Sequence, residues 1–134
     1  MSDPHTQGWS PIDADDDFSA IVGPVWSRGQ GPEREFGFVA QRKHLSRYSR
    51  LHGAMVMWLA DKAMAHAAWY AAQRPRQLAT VQLDTHFMAI VAEGSFVRAR
   101  CQVVRTTGSL VFVEARLWVQ DEAVASASGL WKYR

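Results

Sequence analysis

The stretch from Ala54 to Ala72 limits the possible folds of this chain more than any other feature. It reads AMVMWLADKAMAHAAWYAA and is apolar on nearly every side of a helix, with Asp61 as its one acidic residue. Arg74-Pro75 follows, and a residue before proline is pushed out of helical geometry. We therefore expect one long helix from about Gly53 to Ala72. Such a helix must be wrapped by other elements of the fold.

Four segments in which apolar residues alternate with polar ones follow the predicted helix. They are Leu78–Met88, Ser95–Thr106, Val111–Val119 and Ala123–Tyr133. Short turns separate them, so we expect successive antiparallel hairpins. An earlier segment, Phe36–Gln41, reads as a first regular strand. This order predicts the α+β hotdog fold, in which an antiparallel sheet of about five to six strands wraps one long central helix.

The length and charge of the chain indicate one domain with an acidic leading segment. A chain of 134 residues with 48% apolar composition forms a single core. We expect residues 1–17, which contain five acids and no Lys or Arg, to be flexible, and residues 18–134 to form the domain. Residues 28–134 carry a net charge of +7.

This basic charge has no nucleic-acid-binding motif to accompany it, so we expect no nucleic-acid partner. The cluster Arg42, Lys43, Arg47 and Arg50 has two interpretations. It could receive a small polyanion such as the phosphates of coenzyme A, or it could be a solvated basic surface.

Several other classes of protein are not indicated. Cys101 is the only cysteine, which rules out an internal disulfide, and no His/Cys cluster has the spacing of a metal site. There is no uncharged apolar run of membrane-spanning length and no export signal at the start, so we expect a cytoplasmic protein without membrane contact. His44, His66 and His86 have no partner at motif spacing, and we expect them at surface or boundary positions.

Asp61 is the candidate catalytic group. An ionised carboxylate taken out of water costs several kcal/mol, roughly, unless it is paired or hydrogen-bonded. On an ideal helix Asp61 is turned about 100° from Lys62. It is therefore either a functional group or a residue at the edge of the buried stripe that reaches water.

The motif around this carboxylate resembles a known family. Leu51-His52-Gly53, an eight-residue gap to Asp61, and Thr80-Val81 opening the next strand are similar to the hotdog-fold acyl-CoA thioesterases. The phenylacetate-pathway type and its mammalian relative, acyl-CoA thioesterase 13, are the most similar branch. The resemblance implies hydrolysis of an acyl-CoA thioester to a free acid and coenzyme A, with no metal or other cofactor.

The resemblance also implies roles for individual residues. Asp61 falls at the position of the carboxylate that attacks the thioester or activates water. Gly53 falls where a backbone N–H polarises the thioester carbonyl, and Thr80 where a hydroxyl orients the carboxylate or the water. His52 would shape the loop around the carbonyl. Two departures are Ala54, where the family has a second glycine, and Ser46, where many members place an Asn that assists carbonyl or water binding.

The spacing of Gly53 and Asp61 predicts a dimer. Eight residues on one helix separate them by roughly 12 Å along the axis, so one thioester cannot touch both groups of the same chain. A two-fold related subunit could place its Asp61 near the first subunit's Gly53. We therefore expect an obligate homodimer with two composite sites, and the resemblance implies a homotetramer of two such dimers.

Two other functions fit the sequence. One is a non-catalytic hotdog module that binds acyl-CoA or acyl carrier protein, an alternative that the Ser46 departure keeps open. The other is a hotdog hydratase or dehydratase that acts on the acyl chain, for which the acid and the histidine would be placed differently.

Overall fold

The computed structural model describes residues 7–134, in which three short strands precede the long helix and four long strands follow it. The strands are β1 (Ser10–Ile12), β2 (Val25–Arg28), β3 (Glu35–Val39), β4 (Leu78–Phe87), β5 (Phe96–Thr106), β6 (Leu110–Val119) and β7 (Glu122–Tyr133). The helices are α1 (Asp17–Val22) and α2 (Gly53–Ala71), and single 3-10 turns lie at Gly31–Glu33 and Arg42–His44.

Helix α2 is the centre of the core, as its composition predicts. His52 caps the first turn of the helix. The imidazole Nδ1 of His52 accepts a hydrogen bond from the N–H of Ala54. The helix ends at Ala71, one residue before the expected position. Its buried residues lie on every turn: Met55, Val56, Leu59, Ala60, Ala63, Met64, Ala67 and Ala68. The small alanines let the sheet approach the helix closely, so that β5 and β6 pack directly on it.

The sheet has seven antiparallel strands in the order β1-β2-β3-β5-β6-β7-β4. Its inner face buries apolar side chains against α2 and includes Val97, Val113 and Trp131, each at most 1% exposed. This arrangement is the hotdog fold that the sequence predicts. The strand count is seven rather than five to six, because the short strand β1 adds to one edge.

The prediction of a hairpin between β4 and β5 is wrong. The predicted hairpins between β5 and β6 and between β6 and β7 are present. β4 instead pairs with β7, from Leu78 opposite Tyr133 to Phe87 opposite Ala125. The connection after β4 is held by other parts of the fold, since the carbonyl of Val91 accepts from the N–H of Leu51. As a result β4 is an edge of the sheet, and one side of its backbone has no partner strand in the described chain.

The described part of the acidic leading segment belongs to the fold. β1 pairs with β2, and the side chain of Trp9 is 2% exposed. The carboxylate of Asp15 lies 3.7 Å from the Lys62 ammonium on α2. These contacts join the described part of the segment to the rest of the fold, because Trp9 supplies apolar surface that the acidic composition around it conceals. The flexibility of residues 1–17 and the domain boundary at residue 18 stay predictions. Residues 1–6 lie outside the described residues.

The two faces of the sheet differ in polarity. Cys101 is buried in the core, and Glu114 points to the outer face of the sheet. Neither described helix combines the length and the apolar character needed to cross a membrane.

Candidate active site

Asp61 lies on the third turn of α2 and is held from the side by the edge strand. The hydroxyl of Thr80, near the start of β4, donates a hydrogen bond of 2.7 Å to Oδ1 of Asp61. The carboxyl group is half-buried, and among residues 7–134 no cation forms an ion pair with it. The neighbouring Lys62 faces Asp15 instead. Asp61 is therefore at the edge of the buried stripe, with one oxygen fixed by Thr80 and the other without a protein partner in this part of the chain.

The N-terminus of α2 leaves one backbone N–H open. The N–H of Ala54 is bonded to the His52 ring, and those of Met55 and Val56 to the His52 carbonyl, at 3.0 and 3.4 Å. Within the described residues, the N–H of Gly53 has no acceptor. The first N–H groups of a helix lack intrahelical partners and carry the positive end of the helix dipole. The Gly53 N–H is thus a donor available to a negatively polarised oxygen.

Strand β4 contacts both candidate groups at different points along its length. Its residue Thr80 bonds Asp61, and its last residue, Phe87, lies against Gly53. A Cβ added at Gly53 would be 3.3 Å from Cε1 of Phe87, closer than an ordinary contact. The absence of a side chain at Gly53 therefore allows the aromatic ring to cover the start of the helix.

The predicted site residues form two groups within one chain. Thr80 joins Asp61, and His52 adjoins Gly53, but the two groups remain separated along α2 by roughly 12 Å. Ser46 joins neither group in the described contacts: its hydroxyl accepts from the N–H of Tyr48, and its N–H donates to the carbonyl of Arg50. Ser46 therefore closes a turn ahead of the helix.

A cleft of about 470 Å³ lies beside Asp61 on the outer side of α2. Its walls combine aromatic rings with charged groups, since Phe36, Trp58 and Trp69 line it together with Asp61 and Lys62. The Lys62 ammonium lies 5.8 Å from the ring centre of Trp58. The carboxylate therefore opens into a mixed apolar and polar space large enough for a small organic group.

His44 differs from the sequence-based expectation, whereas His66 is half-buried, as expected for a boundary position. His44 is buried at 4% exposure rather than at the surface, with Nε2 on the carbonyl of Val22 and Nδ1 accepting from the N–H of Gln41. His66 packs its ring against Phe36, and burial lowers its pKa. One feature of the sequence indicates that His44 has a structural role. It lies three residues after Gln41, which is the spacing of a capping box.

The basic cluster is divided between structural and exposed residues. Lys43 donates from its ammonium to the carbonyls of Ile21 and Gly23, so it is part of the fold. Arg42, Arg47 and Arg50 are exposed beside the loop that leads into α2. No group of three His, Cys, Asp or Glu side chains suited to a metal ion occurs in residues 7–134.

Comparison with known proteins places this architecture in a family. The profile of the Thioesterase superfamily matches residues 48–126, more than half of the chain. A relative named "Putative esterase PA0474" from Pseudomonas aeruginosa is 27% identical over 128 residues, covering 93% of this chain and 94% of the relative.

Solved structures share the fold at low sequence identity. The Escherichia coli PaaI protein from the phenylacetic acid degradation operon superposes with a TM-score of 0.79 at 16% identity, covering 90% of this chain and 86% of its own. Zebrafish thioesterase superfamily member 2 gives a TM-score of 0.79 at 20% identity, with 89% and 88% covered.

The fold and the motif at the start of α2 define a hotdog-fold protein of the thioesterase type. The chain belongs to the Thioesterase superfamily. The resemblance inferred from Leu51-His52-Gly53 and Asp61 is thereby confirmed. The general activity that these comparisons support is hydrolysis of thioesters or esters.

Proposed function

We propose that this protein hydrolyses acyl-CoA thioesters, with Asp61 as base or nucleophile and the Gly53 N–H as the donor to the thioester carbonyl. The observation that carries the proposal is the hydrogen bond between Thr80 and Oδ1 of Asp61, which holds a carboxylate at the mouth of an open cleft. A carboxylate used only for solubility would not need a fixed orientation.

The two oxygens of Asp61 have different roles in this reaction. Oδ1 is held by Thr80, so the other oxygen can take a proton from water or attack the carbonyl carbon itself. Water adds across the thioester: the C–S bond breaks, the acyl carbon gains an oxygen, and the sulfur leaves as the thiol of coenzyme A. Direct attack passes through an acyl-aspartyl anhydride that water then opens.

The thioester carbonyl oxygen becomes negative while the new C–O bond to the acyl carbon forms. The open N–H of Gly53 and the helix dipole behind it favour negative charge at that place. His52 supports the donor, because its ring and carbonyl occupy the next three N–H groups and leave only that of Gly53 for the substrate. Among the predicted site residues, Ser46 has no described hydrogen bond to either group of the site.

A dimer formed through β4 would bring the two groups together. β4 is a sheet edge in which Thr80 contacts Asp61 and Phe87 contacts Gly53. If two copies of β4 pair antiparallel about a two-fold axis between Leu83 and Asp84, Thr80 lies opposite Phe87 of the partner subunit. Asp61 then lies beside the partner subunit's Gly53.

The exposed residues of this region support such a pairing. An edge strand with unpaired backbone groups and apolar side chains is a template for another chain. Four large apolar residues on and after β4 are exposed by half or more: Val81, Phe87, Met88 and Ile90. The homodimer is thus part of the proposal, and a homotetramer of two dimers is the assembly that the resemblance implies.

The coenzyme A portion of the substrate would meet the loop before α2. Arg42, Arg47 and Arg50 are exposed there, close in sequence to Gly53. Guanidinium groups bind phosphate oxygens in paired hydrogen bonds. We assign the phosphates to this surface, with the acyl group directed into the cleft beside Asp61.

A thiol-release assay on acetyl-, octanoyl- and phenylacetyl-CoA tests the function. Wild-type protein should release coenzyme A from at least one of them, and Asp61→Asn should lower kcat by about 10²- to 10⁴-fold. Glu114→Gln, which neutralises an exposed carboxylate on the outer face of β6, away from the β4 edge, is the matched control. Binding of acyl-CoA without turnover would contradict the proposal in favour of a binding module, and hydration of an enoyl-CoA without thiol release in favour of a hydratase.

A further inference from the structure

We propose that His44 is a positioning residue that fixes the direction of the Gly53 N–H. The inference rests on the proposed function, because it concerns the donor to the thioester carbonyl. In the described contacts the His44 ring touches neither Gly53 nor Asp61. Its influence on the reaction would therefore pass through the loop that joins it to the start of α2.

Both nitrogens of the His44 ring are engaged inside the protein. Nδ1 accepts a hydrogen bond of 3.0 Å from the N–H of Gln41, and Nε2 bonds to the carbonyl of Val22. Because the first partner can only donate and the second can only accept, the ring must be neutral with its proton on Nε2. The ring of Phe38 lies edge-on at 5.1 Å. The imidazole therefore ties the loop to the end of α1 in one tautomer.

The backbone of His44 continues this connection to the helix. Its carbonyl accepts a hydrogen bond of 2.9 Å from the N–H of His52. His52 then holds the first turn of α2, through its ring to Ala54 and its carbonyl to Met55. The peptide that joins His52 to Gly53 carries the open N–H. A shift of His44 would thus turn that N–H away from its target.

The segment between these residues has little freedom to absorb such a shift. Leu45 and Leu51 form a β-bridge, and the N–H of Ser46 donates to the carbonyl of Arg50 at 2.8 Å. The segment is therefore a closed loop anchored at His44. An oxyanion donor has to lie within hydrogen-bonding distance of the developing charge, so a small displacement lowers the rate.

Charge on the ring would break this anchor. Protonation converts Nδ1 from an acceptor into a second donor, which then faces the N–H of Gln41. Burial lowers the pKa of His44, and the Lys43 ammonium adds to the lowering, whereas the backbone carbonyls of Val22 and Val39 oppose it. Lys43 is the charged neighbour; α1 and β3 present the uncharged Val22 carbonyl and Phe38 ring. Acid should therefore release the loop.

Substitutions of His44 test the proposal in the full-length protein. His44→Leu should lower kcat for acyl-CoA by about ten- to a hundredfold with little change in KM. His44→Asn places an amide oxygen where Nδ1 accepts from Gln41, so it should keep more activity and lose the part of the acidic pH dependence that belongs to this ring. Gln102→Leu, which makes a polar-to-apolar change at an exposed position on the outer face of β5, is the control. Unchanged kcat in folded His44→Leu would overturn the proposal.

A second measurement does not depend on turnover or on a variant that folds. In ¹H–¹⁵N spectra of wild-type protein, acid titration should move the Gly53 amide signal with the same midpoint as the His44 ring. A Gly53 signal that stays fixed while His44 titrates would overturn the positioning role. Failure of the proposed function has a different signature, namely wild-type protein that releases no thiol or an Asp61→Asn variant as active as wild type.

Discussion

The hydroxyl of Thr80 donates a 2.7 Å hydrogen bond to Oδ1 of Asp61, which links the edge strand β4 to the middle of α2. This bond restricts the carboxylate to one orientation and leaves its second oxygen for the substrate. It also makes the geometry of the acid depend on β4, the strand that we propose as the subunit interface. Orientation of the acid and assembly are therefore coupled in this account.

Removal of this hydroxyl should slow the reaction without unfolding the protein. Thr80→Val keeps the shape of the side chain, and hydrogen bonds to charged groups contribute about 1.5–3 kcal/mol. We expect kcat to fall by about 10- to 100-fold. Thr80→Ser, which retains the donor, should keep most of the activity in the same assay. Equal rates for Thr80→Val and wild type would mean that Asp61 needs no orienting partner.

Gly53 allows a substitution that removes one N–H and little else. Proline is well tolerated at the first position of a helix, and the extended backbone of His52 suits a residue before proline. Gly53→Pro should lower kcat by about 10²- to 10³-fold if its N–H is the oxyanion donor. Gly53→Ala brings a Cβ equally close to Phe87 but keeps the N–H, so it is the matched control. Similar losses in both variants would assign the effect to crowding.

The proposed interface can be tested with two exposed valines. Val81 on β4 is 55% exposed and Val104 on β5 is 57% exposed. Val81→Glu should dissociate the dimer in sedimentation equilibrium and remove activity, because it places a charge in the β4 contact. Val104→Glu, on the outer face of the sheet, should leave the dimer intact. A fully active monomer in the Val81→Glu sample would contradict the shared site.

Cys101 should remain unreactive in the folded protein. Burial raises the pKa of its thiol to about 12, so at pH 8 only about one molecule in 10⁴ carries the reactive thiolate. A thiol reagent such as dithionitrobenzoate should label no site in native protein and one site per chain after unfolding in guanidinium. The same reagent can then follow release of coenzyme A without a background from the enzyme. Rapid labelling of native protein would show that the core opens readily.

Local patterns predict much of this fold. The apolar run from Ala54 to Ala72 and the proline at position 75 locate α2 to within one residue. Alternation of apolar and polar residues locates the four strands after it. The pairing of β4 is not predictable in this way, because its partner β7 lies far along the chain and the short turn at Ala92–Gly94 resembles a hairpin.

The candidate site is likewise only partly visible in the sequence. The spacing of Gly53 and Asp61 predicts both residues as candidates and, through the length of a helix, a second subunit. The contact of Phe87 with Gly53 and the burial of His44 depend on distant elements meeting in space. Nothing in the sequence around His44 indicates that its ring bonds to the carbonyl of Val22, because the two residues are far apart along the chain.

The most direct test of the shared site is a heterodimer of two inactive chains. One chain carries Asp61→Asn and the other Gly53→Pro, each with a different tag so that the mixed dimer can be purified. If each site combines Asp61 of one subunit with the partner subunit's Gly53, the mixed dimer has one intact site and should show about half of the wild-type activity. If both groups act within one chain, the mixed dimer should be as inactive as either parent, and that result would contradict the account.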